Sequence, residues 1–152
     1  MKQRTVLGMA VFLLAGCAGP PPPAGPPPES KSGMYRLVVP LTLEERDYVL
    51  GEMREFLVAL QGVTDGLARN DFAAVSAAAH KVGSGAEGGR MPPEIARKLP
   101  PEFRQLARAT HDQFDSLAAD AAARRDARHT LAQTSALMQR CNACHALFRF
   151  PD

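Results

Sequence analysis

The stretch "TLEERDYVLGEMREFLVALQGVTDGLAR", Thr42–Arg69, decides the fold. Thr42 with Glu45 three residues on is a capping-box pair, in which each side chain satisfies a backbone N–H that the first turn of a helix leaves free. Behind this cap Leu43, Leu50, Met53, Leu57, Leu60, Thr64 and Leu67 recur at spacings of seven and then of three and four. That periodicity predicts one helix running to about Arg69 with these residues as its buried seam. A helix with such a stripe needs other elements to cover it.

The sequence downstream supplies them. Asn70 or Asp71 can cap a second helix carrying Phe72, Val75, Ala79 and Val82 on one side and stopping at Gly83. From there to Pro101 the chain is dense in breakers: Gly83, Gly85, Gly88, Gly89, Pro92, Pro93, Pro100 and Pro101. This predicts a long connection with a turn or two of helix starting at Pro93. A third helix follows, with Phe103, Leu106, Thr110, Phe114, Leu117 and Ala121 at helical spacing, ending near Arg125. Asp126 caps a fourth, which is expected to carry Leu131, Ser135, Met138, Cys141, His145 and Phe148 along one face. Nothing in this region reads as a strand. The expectation over residues 34–152 is therefore an all-α, antiparallel four-helix bundle. With no tryptophan and 6 % aromatic residues its protein core is thin, which leaves room for a flat apolar ligand.

Residues 1–16 read as an export signal. Lys2 and Arg4 precede an apolar run from Val6 to Leu14, which is too short for a membrane span. It leads into "LAGC", Leu14–Cys17, a lipobox pattern in which Cys17 is lipidated and becomes the new N-terminus. Residues 17–33 are then a proline-rich linker, extended at about 3.1 Å per residue and reaching roughly 30 Å from a bacterial membrane. Ala18 stands where an aspartate would favour inner-membrane retention, so a periplasm-facing outer-membrane location is expected. Eighteen basic residues face sixteen acidic ones, and removing Lys2 and Arg4 with the signal leaves 16 against 16. This balance, with no basic cluster, argues against nucleic acid as a partner and names no redox partner protein.

With Cys17 assigned to lipid, Cys141 and Cys144 remain, in the sequence "CNACH", Cys141–His145. A structural zinc needs four ligands, but this motif supplies three, and His80, His111 and His129 are scattered singly. A thiol redox pair sits at a helix start beside a βαβ unit, whereas Cys141 falls about fifteen residues into a predicted helix. A Cys141–Cys144 disulfide in a haem-free binding module is open to an exported protein. The remaining chemistry is covalent haem. On a helix Cys144 and His145 lie three and four residues from Cys141, so all three face one way. Two thioethers can then hold one haem c while His145 reaches the iron, and the export signal supplies the compartment in which C-x-x-C-H is used this way.

The ending Cys-Asn-Ala-Cys-His-Ala-Leu-Phe-Arg, Cys141–Arg149, resembles that of the class II c-type cytochromes, the cytochrome c′ family, with Phe148 where the family often has tyrosine. The resemblance spans about Leu41 to Phe150, and beyond this ending it rests on helix order and the long middle connection. It implies that Cys141 and Cys144 hold the haem, that His145 is the proximal ligand, and that Phe148 and Arg149 lie close by. It also implies a one-electron carrier, not an enzyme, with relatives that are often homodimers. The family divides at the other face of the iron. Some members place a first-helix methionine there and transfer electrons; others leave it open beneath an apolar residue and bind nitric oxide or carbon monoxide. Met53 is the expected distal ligand, and Leu50, one turn earlier, is the alternative as an apolar cover. A methionine among leucines also serves as core filling. Arg46, Arg54 and Arg149 are candidates to pair with haem propionates, Arg149 with the support of the family ending. His111 reads as a surface or helix-packing residue, and His80 and His129 lie near helix ends.

Overall fold

A computed structural model of the chain describes residues 36–85 and 91–151. The expected export signal, Cys17 and the proline-rich linker lie outside the described residues, as do Gly88 and Gly89. The fold is mostly helical: α1 (Leu43–Ala68), α2 (Phe72–His80), α3 (Pro93–Ala96), α4 (Pro101–Arg124) and α5 (Ala127–Leu147). No helix among the described residues is long and apolar enough to cross a membrane.

Local chemistry sets the helix boundaries. Thr42 Oγ1 accepts from Glu45 N at 3.3 Å while Glu45 Oε2 accepts from Thr42 N at 2.9 Å, so the capping box is closed on both sides. Lys98 Nζ donates to the same carboxylate at 2.7 and 2.8 Å and ties the segment after α3 to the start of α1. Asp71 caps α2 by accepting from Ala74 N, and Asp126 caps α5 by accepting from Arg128 N and His129 N. α4 starts with Pro101 at its first position, where the missing N–H costs nothing. Arg125, in the left-handed region at φ 51°, ends α4 and lets α5 begin almost at once. Thr42→Ala removes the threonine half of the box and is expected to cost about 1 kcal/mol. Urea denaturation followed by helical circular dichroism measures it, and an unchanged midpoint would mean that the cap does not hold α1.

The helices pack in sequence, α1 on α2, α2 on α4 and α4 on α5. A Cβ on Gly62 would meet Ala78 Cβ at 2.7 Å and one on Gly66 would meet Val75 Cγ2 at 2.8 Å. As residue numbers rise along α1 they fall along α2, so the pair is antiparallel and closely approached. α4 and α5 also run antiparallel, with Asp120 paired to His129 and Gln113 to Arg140.

The buried seam of α1 differs from the expected leucine line. Its buried residues are Val49, Ala59, Val63 and Gly66, while Leu43 and Leu57 are 68 % and 67 % exposed and Leu50, Met53, Leu60 and Leu67 are half-buried. Size misled the expectation, because close packing against α2 selects the small side chains and turns the leucines aside. α5 departs in the same way. Thr130, Thr134 and Leu137 are buried, and Leu131, Ser135 and Met138 are exposed. The two threonines are tolerated inside because their hydroxyls donate to the carbonyls of Asp126 and Thr130, at 2.9 and 2.8 Å. The faces expected for α2 and α4 are the buried ones.

A strand pair that the sequence did not announce closes one end. β1 (Leu37–Val38) pairs in parallel with β2 (Phe148–Arg149), in the register Leu37↔Phe148 and Val38↔Arg149. Two residues per strand leave no readable alternation, and the pairing is made between opposite ends of the described chain. Two hydrophobic clusters result. One joins α1, α2, α4 and α5 around Phe114, Leu117 and Leu137. The other gathers Val39, Leu41, Val49, Ile95, Leu99, Phe103 and Phe148 near the strand pair.

Candidate functional site

α5 leans on α4 and scarcely touches α1, so an apolar groove opens between α1 and α5 with α4 as its floor. Met53, Phe56, Leu57 and Leu60 form the α1 wall, and Cys141, Cys144 and His145 stand on the α5 wall. Three residues of the expected leucine seam, Met53, Leu57 and Leu60, thus line a groove. The groove holds about 890 Å³ counted out to its solvent mouth. Its polar residues include Glu52, His111 and Arg140.

A second cavity, about 500 Å³ counted out to its solvent mouth, adjoins it at the C-terminal end of α5. It is bordered by Leu50, Phe148 and Phe150 and by the two arginines Arg36 and Arg149. Met53, Phe103, Cys144 and His145 border both spaces. The structure therefore brings together Cys141, Cys144, His145, Met53 and Leu50 around one continuous region, with Phe148 and Arg149 at its end.

Helical spacing positions the motif. Both thiols are half-buried along the groove and His145 is exposed at the last turn of α5. Burial pushes the Cys141 and Cys144 thiols above their ordinary range, and the neighbouring Cys141 pushes Cys144 further. This is the reverse of the lowered thiol that a redox cysteine needs. Phe148 anchors the segment after the motif, its ring edge-on to Phe103 at 5.3 Å and 68°. Val39 N donates to Arg149 O at 2.9 Å, and Arg36 Nη1 donates to His145 O at 3.4 Å. The strand pair thus fixes the end of the helix that carries the motif.

The other polar candidates fall into separate roles. Arg46 reaches the Pro151 carbonyl at 3.4 Å, and Arg54 lies exposed on α1. His111 donates from Nδ1 to Val82 O at 2.7 Å and packs its ring 5.0 Å from Phe56, which is a helix-packing role at the edge of the groove. His129 donates to Asp120 at 2.8 Å, and His80 is exposed in the last turn of α2. Burial pushes the Glu52 carboxyl up, with His111 pulling it back and Glu55 adding to the rise.

Sequence reasoning missed Arg36, which sits on no periodic element. It also missed the contribution of Phe103 to this region, although the helical spacing of Phe103 was the signal available. Chemically, two thiols can bond covalently to one edge of a flat apolar group, while an imidazole on one helix and a thioether on another can bind a metal at its centre. Among the described residues, no three His, Cys, Asp or Glu side chains gather as a chelating group for a bare metal ion. Compared with protein-family models, with curated proteins and with solved structures, the chain matches none, so its site is read from its own residues and geometry.

Proposed function

We propose that this chain is a periplasm-facing, lipid-anchored c-type cytochrome with one haem, folded as an antiparallel four-helix bundle and carrying one electron at a time. The observation that carries the reading is the joint placement of Cys141, Cys144 and His145 on one wall of an apolar groove whose opposite wall presents Met53. The residues fit the group: two half-buried thiols, an imidazole one position beyond the second, and walls of leucine, methionine and phenylalanine. A bound haem supplies a one-electron iron couple.

The chain's own residues do the rest. Cys141 and Cys144 would hold the haem through thioethers, and His145 would offer its imidazole nitrogen to the iron. Met53 would offer its thioether sulfur, and a His/Met pair would raise the reduction potential. Phe56 and Leu60 give the groove an apolar lining on its α1 side, and no side chain is asked for covalent catalysis. Cys17 carries the lipid that holds the domain near the outer membrane. A second reading has one observation in its favour: Leu50 borders the cavity that His145 also borders. With Leu50 as an apolar cover the iron stays open and the protein binds nitric oxide or carbon monoxide.

The visible spectrum of the matured, reduced, oxygen-free protein separates the two. The expected spectrum is low-spin and unchanged by carbon monoxide, and Met53→Ala is expected to open the iron so that carbon monoxide shifts it. A parent spectrum that is already high-spin and shifts with carbon monoxide would make Met53 packing and transfer the case to gas binding.

A further inference from the structure

We infer that the cavity at the C-terminal end of α5 receives a carboxylate carried on an apolar body, with Arg36 and Arg149 as its partners. The inference rests on the haem reading, in which that carboxylate is a propionate arm of the haem.

Among the described residues, the lining of this cavity includes two guanidinium groups and no acidic side chain, and most of its other residues are apolar, among them Leu50, Met53, Phe103 and Phe148. Two half-buried cations beside a largely apolar space suit a counter-charge, because a partly desolvated positive group is stabilised by an anionic partner. Arg36 adds a second, independent observation. Its Nε is fully buried and has no hydrogen-bond partner among the described residues, while its Nη1 is held by the His145 carbonyl at 3.4 Å. Arg149 Nη1 makes one long contact of its own, to Phe150 O at 3.5 Å. The planar fork of a guanidinium matches the two oxygens of a carboxylate, and an acceptor there would satisfy the orphaned N–H.

The fold explains why Arg36 stands there. β1 pairs with the residues that follow the motif, so the residue just before β1 is fixed beside His145. The two-residue strand pair, which otherwise closes one end of the domain, therefore delivers a cation to the cofactor region from outside the helices. If Arg36 served only to satisfy the last carbonyls of α5, its loss would change stability and leave ligand preference alone.

The test uses the full chain with Cys141→Ala and Cys144→Ala, so that a porphyrin binds reversibly. Metal-free protoporphyrin IX and its dimethyl ester are titrated by fluorescence, which leaves iron ligation out of the comparison. The free acid is expected to bind about tenfold or more tightly than the ester, the scale of a charge-assisted hydrogen bond. Arg36→Gln is expected to reduce that preference to about twofold or less. Arg149→Gln is measured beside it, and thermal midpoints establish that each variant is folded. Equal binding of acid and ester, or a preference that survives both variants, overturns the inference while leaving haem binding intact. Binding of neither porphyrin would count against the haem reading itself, and a second arm then decides the carboxylate. There, hexanoate is expected to raise the thermal midpoint more than hexanol does, with the difference lost in Arg36→Gln. No difference between hexanoate and hexanol overturns carboxylate recognition altogether.

Discussion

Matured protein carrying both Cys141→Ala and Cys144→Ala is expected to show no haem-stained band on a denaturing gel, where the parent chain is expected to show one. The effect is all or none because denaturation strips away whatever packing and ligation hold, leaving only covalent bonds. Each cysteine alone can form one thioether, so either single variant is expected to retain a weaker band. The two sulfurs are suited to act together: they lie three residues apart on α5, both half-buried on the groove wall. A haem band that persists in the double variant would place attachment elsewhere and strip the motif of its role.

Phe114→Ala is expected to cost about 3–5 kcal/mol of folding stability, the usual range for removing a fully buried phenylalanine. Phe114 is 1 % exposed and lies in the cluster that joins α1, α2, α4 and α5. Its ring stacks on Phe56 with centroids 5.5 Å apart and planes 6° from parallel. Ala59, Ala79, Ala118 and Ala121 belong to the same cluster, and such short side chains cannot extend into the space that the ring would leave. Domains of this size are stable by about 5–15 kcal/mol, so the loss is a large fraction of the whole. Urea denaturation of the matured protein reads it, with Phe114→Leu as the milder comparison. A loss below about 1 kcal/mol would mean that the helices close around the gap, against the rigid packing described above.

Much of the helical framework was legible in the sequence because its signals are local. Thr42 with Glu45, Asp71 and Asp126 are short-range hydrogen-bonding devices, and each caps the helix that it was expected to cap. Proline spacing gave α3 at Pro93 and the first turn of α4 at Pro101. What failed to read was which face meets which partner. On α1 the large leucines looked like the seam, whereas Gly62 and Gly66 make the close contact with α2. On α5 the threonines looked polar, whereas their hydroxyls are satisfied one turn back along the helix. Both errors come from judging burial by side-chain hydropathy without knowing how near the neighbouring helix approaches.

The candidate site was legible for a different reason. Cys141, Cys144 and His145 form the C-x-x-C-H pattern within five residues, and helix geometry alone puts them on one face. Met53 and Leu50 were singled out by the family resemblance, and both border the cavity that His145 borders. Arg36 was invisible because its position depends on β1 pairing with β2, a contact between distant parts of the chain that leaves no periodic trace.

The most direct measurement is the mass of one peptide from the matured wild-type protein. Trypsin cuts after Arg140 and Arg149 and releases Cys141–Arg149 as a single fragment. The expected fragment is heavier by one haem, with neither thiol open to alkylation. A fragment with two alkylatable thiols, or one lighter by a pair of hydrogens through a Cys141–Cys144 disulfide, would contradict the cytochrome reading.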